Sequence, residues 1–177
     1  MDLPKRKQIR LPDYDYSAPG AYFVTVCTQD RRFILSSVRR GDPCGRPSLL
    51  LTKYGEIVEQ CLEQTEVSLG FSLKPHVIMP NHIHFVCTID QARATTRVAP
   101  TLGRIVGALK SLSANRCRET GLNGKLWQRG YHEHIIRNED DLRQILECIE
   151  NNPAKWAEDR YYTETPLSRT AKKSPLR

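Results

Sequence analysis

The sequence predicts an α+β fold, a ferredoxin-like split βαβ sheet in the order β-α-β-β-α-β, followed by an extra C-terminal helix. Short runs rich in aromatic and β-branched residues are separated by longer segments whose apolar residues recur at helical spacing. Two of these runs are joined only by Pro80-Asn81, which makes them neighbouring antiparallel strands. The resulting element order is that of the split βαβ arrangement, in which helices cover one face of an antiparallel sheet.

The strands follow from composition, and the connections follow from turn chemistry. Four strands are predicted, at residues 21–27, 71–79, 82–89 and 131–136. Residues 36–48 are predicted to form a loop, because they contain Gly41-Asp42-Pro43 and Gly45-Arg46-Pro47. Residues 91–100 are predicted to be a polar connection, and residues 121–125 a turn.

The helices follow from apolar periodicity and capping residues. Three are predicted, at residues 51–66, 102–118 and from Glu139 to the residues before Pro153. The middle helix has an apolar stripe formed by Leu102, Ile105, Val106, Leu109 and Leu112. Asn138 is predicted to cap the last helix, whose acidic first turn complements the helix dipole. The buried stripe of that helix is predicted to consist of Leu142, Ile145, Leu146 and Ile149.

Composition favours a basic, cytoplasmic protein that binds a polyanion. The 177 residues include 27 Lys and Arg against 20 Asp and Glu, and the net charge of +7 suits nucleic acid. The six cysteines form no Cys-x-x-Cys pair and are predicted to be reduced thiols. The sequence has no apolar run long enough for a membrane span and no pattern of a secretory signal. The predicted divisions are a basic N-terminal arm (1–20), one domain (21–160) and a flexible basic tail (161–177).

Two histidines on one predicted strand mark the candidate metal site. Side chains alternate between the two faces of a strand, so His82 and His84 project from one face while Ile83 points into the core. A pair of imidazoles on one face is half of a divalent metal site. We expect both rings to lie on a face of the sheet that substrate can reach.

Several sequence blocks, in order along the chain, carry a family resemblance. They are residues 13–16 with 20–25, residues 79–84, residues 127–137 and residues 151–153. The block 79–84 resembles the His-hydrophobic-His (HUH) motif of single-tyrosine transposases, and the whole set resembles the REP-associated tyrosine transposases of bacteria. The resemblance implies the same ferredoxin-like fold and an activity on hairpin-containing single-stranded DNA.

The resemblance also implies a set of site residues. In HUH transposases two histidines and a polar residue of the last helix hold one Mg²⁺ or Mn²⁺, which polarises the scissile phosphate. A tyrosine of that helix attacks and becomes linked to the 5′ phosphate, which frees a 3′ hydroxyl. The matching metal ligands in this chain are His82, His84 and Asn152. The nucleophile position is four residues before the third ligand, and Cys148 occupies it.

Cys148 puts the family activity in doubt. The family pattern is Tyr-Ile-x-x-Asn-Pro, whereas residues 148–153 read Cys-Ile-Glu-Asn-Asn-Pro. A thiolate is nucleophilic, but cysteine is shorter than tyrosine by most of a phenyl ring, and even about 1 Å of misplacement is costly. The alternative is a small, inert, partly buried cysteine flanking the apolar stripe. Rescue by Tyr131, Tyr161 or Tyr162 is a further alternative.

Basic and aromatic residues are candidates for the DNA surface. The predicted DNA-binding residues are Lys110, Arg116, Lys125, Trp127, Arg129, Tyr131, His134 and Arg137. Trp127 alternatively belongs to the core. A second His-x-His, His132 and His134, would lie two strand spacings from the first, about 9–10 Å, which is too far to share one ion.

Three functions therefore stand side by side. The first is a transposase that nicks and rejoins hairpin-containing single-stranded DNA with Mg²⁺ or Mn²⁺, either alone or as a homodimer. The second is a catalytically inactive DNA-binding descendant, because Cys148 replaces the expected tyrosine. The third is a metal-dependent hydrolase that uses activated water and leaves no protein–DNA adduct.

Overall fold

The computed structural model describes residues 19–39, 47–89 and 101–162. The strands are β1 (Gly20–Cys27), β2 (Ser36–Arg39), β3 (Ser48–Leu51), β4 (His76–Ile78), β5 (His82–Ile89) and β6 (His132–Ile136). The helices are α1 (Lys53–Leu69), α2 (Leu102–Glu119) and α3 (Glu139–Asn151), with short 3-10 helices at Gln29–Arg31 and Trp156–Glu158. The predicted connection at residues 91–100 and most of the predicted N-terminal arm and tail lie outside the described residues.

The main sheet has the predicted ferredoxin-like topology. Its strands are ordered β4-β5-β1-β6, and all neighbours are antiparallel. Leaving aside the hairpin of β2 and β3, the chain order is β-α-β-β-α-β followed by α3, as the sequence predicts. In the register of β1 and β5, Thr25 pairs with His84 and Cys27 with His82. The fold class is therefore confirmed.

Two parts of the fold differ from the predicted elements. The segment 36–48 was predicted as a loop, but its flanks pair as the hairpin β2–β3, with Ser36 opposite Leu51. The predicted strand 71–79 is reduced to three residues, His76–Ile78. Pro75 precedes this strand and has no amide hydrogen, so the ladder towards Ser72 continues only as an isolated bridge.

The two faces of the sheet carry different helices. Helices α1 and α2 pack on one face around a large apolar core that includes Val24, Ile83 and Phe85. Helix α3 packs on the other face, where Ile145 and Ile149 contact a smaller cluster that includes Val86. Residues 82, 84 and 86 of β5 share a face, so α3 covers the same side of the sheet as the two histidines.

Helix α3 begins as predicted, but its apolar stripe is narrower. The Asp141 backbone amide donates to the Asn138 side-chain oxygen at 2.8 Å, which makes Asn138 the cap. Ile145 and Ile149 are buried, whereas Leu146 is 38% exposed and does not belong to the stripe. The apolar cluster on this face of the sheet is small, and Ile145 and Ile149 are the α3 residues that are buried in it.

Beyond α3 the chain turns back across the histidine face, and we call residues 153–162 the return segment. Trp156–Glu158 forms a 3-10 helix, and Tyr161 is buried. The Asn81 side-chain amide donates to the Tyr161 carbonyl at 2.8 Å. Packed residues therefore extend to Tyr162, past the predicted start of the tail at residue 161. None of the described helices combines the length and the apolar character needed to cross a membrane.

Candidate metal centre

The two motif histidines point their outer nitrogens at one another. His82 and His84 lie on the same face of β5, and their Nε2 atoms are 3.0 Å apart. Two nitrogen ligands placed about 2.1 Å from one ion and about 90° apart would be separated by about 3.0 Å. The distance between the two imidazoles therefore fits two neighbouring ligands of a single cation.

Hydrogen bonds behind the rings set their orientation. The His82 Nδ1 lies 2.8 Å from the Asn81 side-chain oxygen, and the Asn81 amide nitrogen donates to the Tyr161 carbonyl. Because that oxygen can only accept, His82 carries its proton on Nδ1 and presents a lone pair at Nε2. His84 Nδ1 is hydrogen-bonded to Thr25 Oγ1 at 2.8 Å, and Phe23 stacks on the His84 ring. Such outer contacts orient metal-binding imidazoles.

Both imidazoles are neutral at physiological pH. Burial lowers the pKa of His82 to about 2 and the pKa of His84 to about 3. These values already include smaller contributions in the same direction from the positive charge of Arg160 on both rings and of Arg31 on His82. A metal ligand must offer an unprotonated nitrogen, so the environment keeps both rings in the form that binds a cation.

Two oxygen-bearing side chains from the C-terminal part of the chain are candidate further ligands: Asp159 lies beside the histidines, and Asn152 lines the same cavity as His84. The Asp159 Oδ2 lies 3.8 Å from the His82 Nε2, and possible ligand atoms of His82, His84 and Asp159 lie within 4.8 Å of one another. The Asn152 side chain is buried, and among the described residues no donor bonds its Oδ1. A buried carbonyl oxygen without a partner is costly, and a cation would satisfy it. The donor set therefore fits a divalent ion.

The sequence prediction named Asn152 but missed Asp159. Asn152 and Asp159 line one cavity of about 630 Å³ together with His84 and Cys148. Asp159 reaches the site because the return segment folds back over the sheet. No periodicity or spacing in the sequence predicts that change of chain direction. A carboxylate shortly after the Asn-Pro end of the helix was the available signal, and it is weak.

The expected exposure of the two rings was wrong. His82 is 0% exposed and His84 is 4% exposed. The rings of Trp156 and Tyr161 cover His82, with centroid distances of 5.9 and 4.7 Å. The prediction assumed that this sheet face stays open, whereas α3 and the return segment close it. Access to the site is from the side, because His84 lines the cavity.

Cys148 of α3 is exposed and lines the cavity; it is not part of the core. The thiol is free and exposed, so the predicted partly buried cysteine was wrong. Cys148 and Asn152 are one helical turn apart and line the same cavity.

The other described cysteines, Cys27, Cys61, Cys87 and Cys117, are free and buried, and burial raises the pKa of each thiol. Cys44 lies outside the described residues.

Comparison with known proteins identifies the family. The family described as "Transposase IS200 like" matches residues 21–152, most of the chain. The chain belongs to the IS200-like transposase family. The resemblance to REP-associated tyrosine transposases is confirmed by an Escherichia coli K12 protein of that name, which is 24% identical over 153 residues. That alignment covers 86% of this chain and 78% of the relative.

Two further comparisons agree. An uncharacterized protein of Haemophilus influenzae is 31% identical to this transposase-family chain over 175 residues, covering 90% of the chain and 94% of that protein. The solved structure of a REP-associated tyrosine transposase bound to a REP hairpin superposes with a TM-score of 0.57 at 20% identity. The superposition covers 98% of this chain and 87% of that one, and it shows a shared fold.

Two of the predicted DNA-binding residues of this transposase-family protein, Trp127 and Lys110, make contacts inside the fold. Trp127 is 6% exposed within the main core, and its Nε1 donates to the Ser113 hydroxyl at 2.9 Å. Its ring cannot stack on a base there, so the alternative that it belongs to the core is right. Lys110 Nζ donates to the carbonyls of Gln128 and Gly130 at 2.7 Å each and so fixes the loop before β6.

The remaining predicted contacts are distributed over the surface. Arg116 bonds Gln64 of α1, on the face of the sheet opposite the histidines. Lys125, Arg129 and Arg137 are exposed. Tyr131 is half-buried and packs against the main core.

The second His-x-His pair lies on β6, at the edge of the sheet. His134 is exposed, and its Nε2 is hydrogen-bonded to the Asp141 carboxylate at 2.9 Å. The order β5-β1-β6 places β1 between the two histidine pairs, as predicted. His132 and His134 nevertheless line the same cavity as His84, so they form its outer wall.

Proposed function

We propose that this protein binds hairpin-containing single-stranded DNA and nicks and rejoins it with Mg²⁺ or Mn²⁺ through a covalent protein–DNA intermediate. The observation that carries this proposal is the cluster of His82, His84 and Asp159, beside a cavity that His84 and Asp159 line together with Asn152, whose side-chain oxygen has no partner among the described residues. The hairpin substrate is inferred from the solved relative, which is described as bound to a REP hairpin.

The residues of the centre divide into ligands and charged neighbours. His82, His84, Asp159 and Asn152 would hold the ion, which supplies neutralisation of the charge that develops on the scissile phosphate. The oxygen donors Asp159 and Asn152 are of the kind that hard cations such as Mg²⁺ and Mn²⁺ prefer. Arg160, another wall residue of the cavity, adds positive charge that attracts a phosphate.

The DNA strand would approach along the outer wall of the cavity. Lys125, Arg129 and Arg137 are exposed and would neutralise phosphates, and His134 belongs to the outer wall of the cavity. The DNA affinity should fall steeply as the salt concentration rises. The slope of log affinity against log salt concentration is proportional to the number of phosphates contacted. A homodimer that shares this surface stays a prediction from the family resemblance.

A catalytically inactive DNA-binding descendant is the second candidate, and Cys148 favours it. The exposed thiol occupies the position at which the family has tyrosine, and its short side chain leaves the cavity without a nucleophile from α3. Such a protein would keep the metal ligands and the basic surface and would lose strand cleavage.

One experiment separates these functions. A labelled DNA hairpin with single-stranded flanks is incubated with the full chain and Mn²⁺, and products are resolved on native and denaturing gels. A covalent adduct supports the transposase. Cleaved DNA without an adduct indicates the hydrolase. A mobility shift without cleavage indicates the binding protein, and the absence of any shift contradicts the proposal.

Asp159→Asn is expected to weaken Mn²⁺ binding on the order of a hundredfold. The change keeps the shape of the side chain but removes the negative charge that faces His82, and carboxylate oxygens are preferred ligands of hard cations. Calorimetric titration of the full chain measures the affinity. Glu158→Gln is the matched control, because Glu158 is exposed and does not belong to the three-residue donor cluster. Equal affinity in both variants would leave Asn152 as the sole oxygen ligand.

A further inference from the structure

We propose that Tyr161 of the return segment supplies the nucleophile that position 148 of α3 lacks. This inference rests on the proposed strand transfer at the metal centre. The Tyr161 ring lies 4.7 Å from the ring of His82, 6.1 Å from that of His84 and 6.4 Å from that of His132, measured between centroids. Tyr161 lines the cavity that His84 and Asp159 line.

The Tyr161 hydroxyl is held beside a predicted metal ligand. Thr25, whose Oγ1 is hydrogen-bonded to His84 Nδ1 at 2.8 Å, lies beside it. The Arg160 guanidinium donates to the same hydroxyl. Thr25 therefore lies between the phenol and the His84 ring, and a phosphate bound to an ion at His82 and His84 would be close to the Tyr161 hydroxyl.

The surrounding charge suits a phenol that becomes an anionic leaving group when the strand is rejoined. The guanidinium carbons of Arg160 and Arg31 lie 4.6 and 5.1 Å from the Tyr161 ring centroid. These guanidinium groups can stabilise both the phenolate and the phosphate.

The backbone of the return segment holds Tyr161 in this place. The Tyr161 amide donates to the Asp159 side chain at 2.6 Å, and the Tyr161 carbonyl accepts from Asn81 at 2.8 Å. The candidate ligand Asp159 and the candidate nucleophile Tyr161 are thus two residues apart in one turn and are joined by a hydrogen bond. The neighbouring Tyr162 packs against Trp156 instead, with a centroid distance of 5.4 Å.

The step balances without a further reactant. The Tyr161 phenolic oxygen attacks phosphorus, an O–P bond to tyrosine forms, and the bond from phosphorus to the 3′ oxygen breaks. The phenol proton passes to solvent, and the departing 3′ oxygen takes a proton from solvent. Attack by the freed 3′ hydroxyl reverses the step and reseals the strand, so the covalent link conserves the energy of the phosphodiester.

The test is to map the residue that becomes linked to DNA. The full chain is incubated with Mn²⁺ and a hairpin whose flank is labelled at its 3′ end, and the adduct is digested and sequenced by mass spectrometry. The wild type is expected to carry the nucleotide on Tyr161. Tyr161→Phe should lose the adduct by at least about a hundredfold while retaining Mn²⁺ binding, since only a hydroxyl is removed. Tyr162→Phe, the matched control, should form the adduct at the wild-type level.

Several outcomes would overturn the proposal. An adduct on Cys148, or one that persists undiminished in Tyr161→Phe, assigns the nucleophile elsewhere and leaves the proposed function intact. Cleaved DNA without an adduct excludes Tyr161 as the nucleophile, while metal-dependent nicking by water stays possible. An adduct that forms only in Cys148→Tyr excludes Tyr161 as the nucleophile. It supports the second candidate function, a catalytically inactive DNA-binding protein. Absence of cleavage and adduct in every variant, Cys148→Tyr included, overturns both this inference and the proposed strand transfer.

Discussion

His84→Ala is expected to reduce metal-dependent DNA nicking on the order of a thousandfold or more. The change removes one of two converging imidazoles and leaves the His82 Nε2 without its 3.0 Å neighbour. Metal stabilisation of phosphate charge contributes several kcal/mol, and each 1.36 kcal/mol corresponds to a factor of ten in rate. Single-turnover nicking rates with saturating Mn²⁺ measure the effect, and calorimetric titration measures Mn²⁺ affinity in parallel.

His76→Ala is the matched control for that change. His76 lies on β4 of the same sheet and is not among the residues that line the cavity, so its loss should alter neither nicking nor Mn²⁺ affinity. Circular dichroism and a DNA mobility shift verify that His84→Ala still folds and binds DNA. Full Mn²⁺ affinity in folded His84→Ala would contradict the metal centre, whether or not the wild type cleaves DNA.

The parts of the fold that were predicted well are those with strong local patterns. Strand β5 has the predicted bounds, 82–89, and α2 ends one residue beyond the predicted 118, because a buried apolar run and a regular stripe leave few alternatives. The hairpin β2–β3 was missed because two four-residue strands around glycine and proline carry too little pattern. Its pairing depends on contacts between strands, which local propensity does not encode.

The candidate site shows the same division between local and distant determinants. Strand alternation placed His82 and His84 on one face, and helical spacing placed Asn152 one turn from Cys148. Asp159 reaches this centre only because residues beyond α3 fold back over the sheet, and that path depends on long-range contacts such as the bond from Asn81 to Tyr161. The same path buries the histidines, so their accessibility could not be predicted from the strand that bears them.

The metal-free protein is expected to lose about 4 kcal/mol of unfolding free energy between pH 8 and pH 5. An unfolded histidine has a pKa near 6.5, whereas burial lowers the pKa of His82 to about 2 and that of His84 to about 3. Below pH 6.5 the unfolded state therefore binds protons that the folded state cannot, and stability falls as the pH falls. At pH 5 this amounts to about 2 kcal/mol for each ring.

Urea unfolding at a series of pH values, with a chelator present, measures this loss. His84→Gln should show about half the wild-type pH dependence, because one of the two buried imidazoles is gone, and the difference between the two profiles cancels the contribution of the carboxylates. The result does not depend on the particular folded pKa values as long as both lie well below 5, so it tests burial itself. A wild-type stability that stays flat from pH 8 to pH 5 would mean that both rings take up protons in the folded state. The return segment would then not seal the histidine face, and the centre would be open to solvent in the way the strand pattern alone suggested.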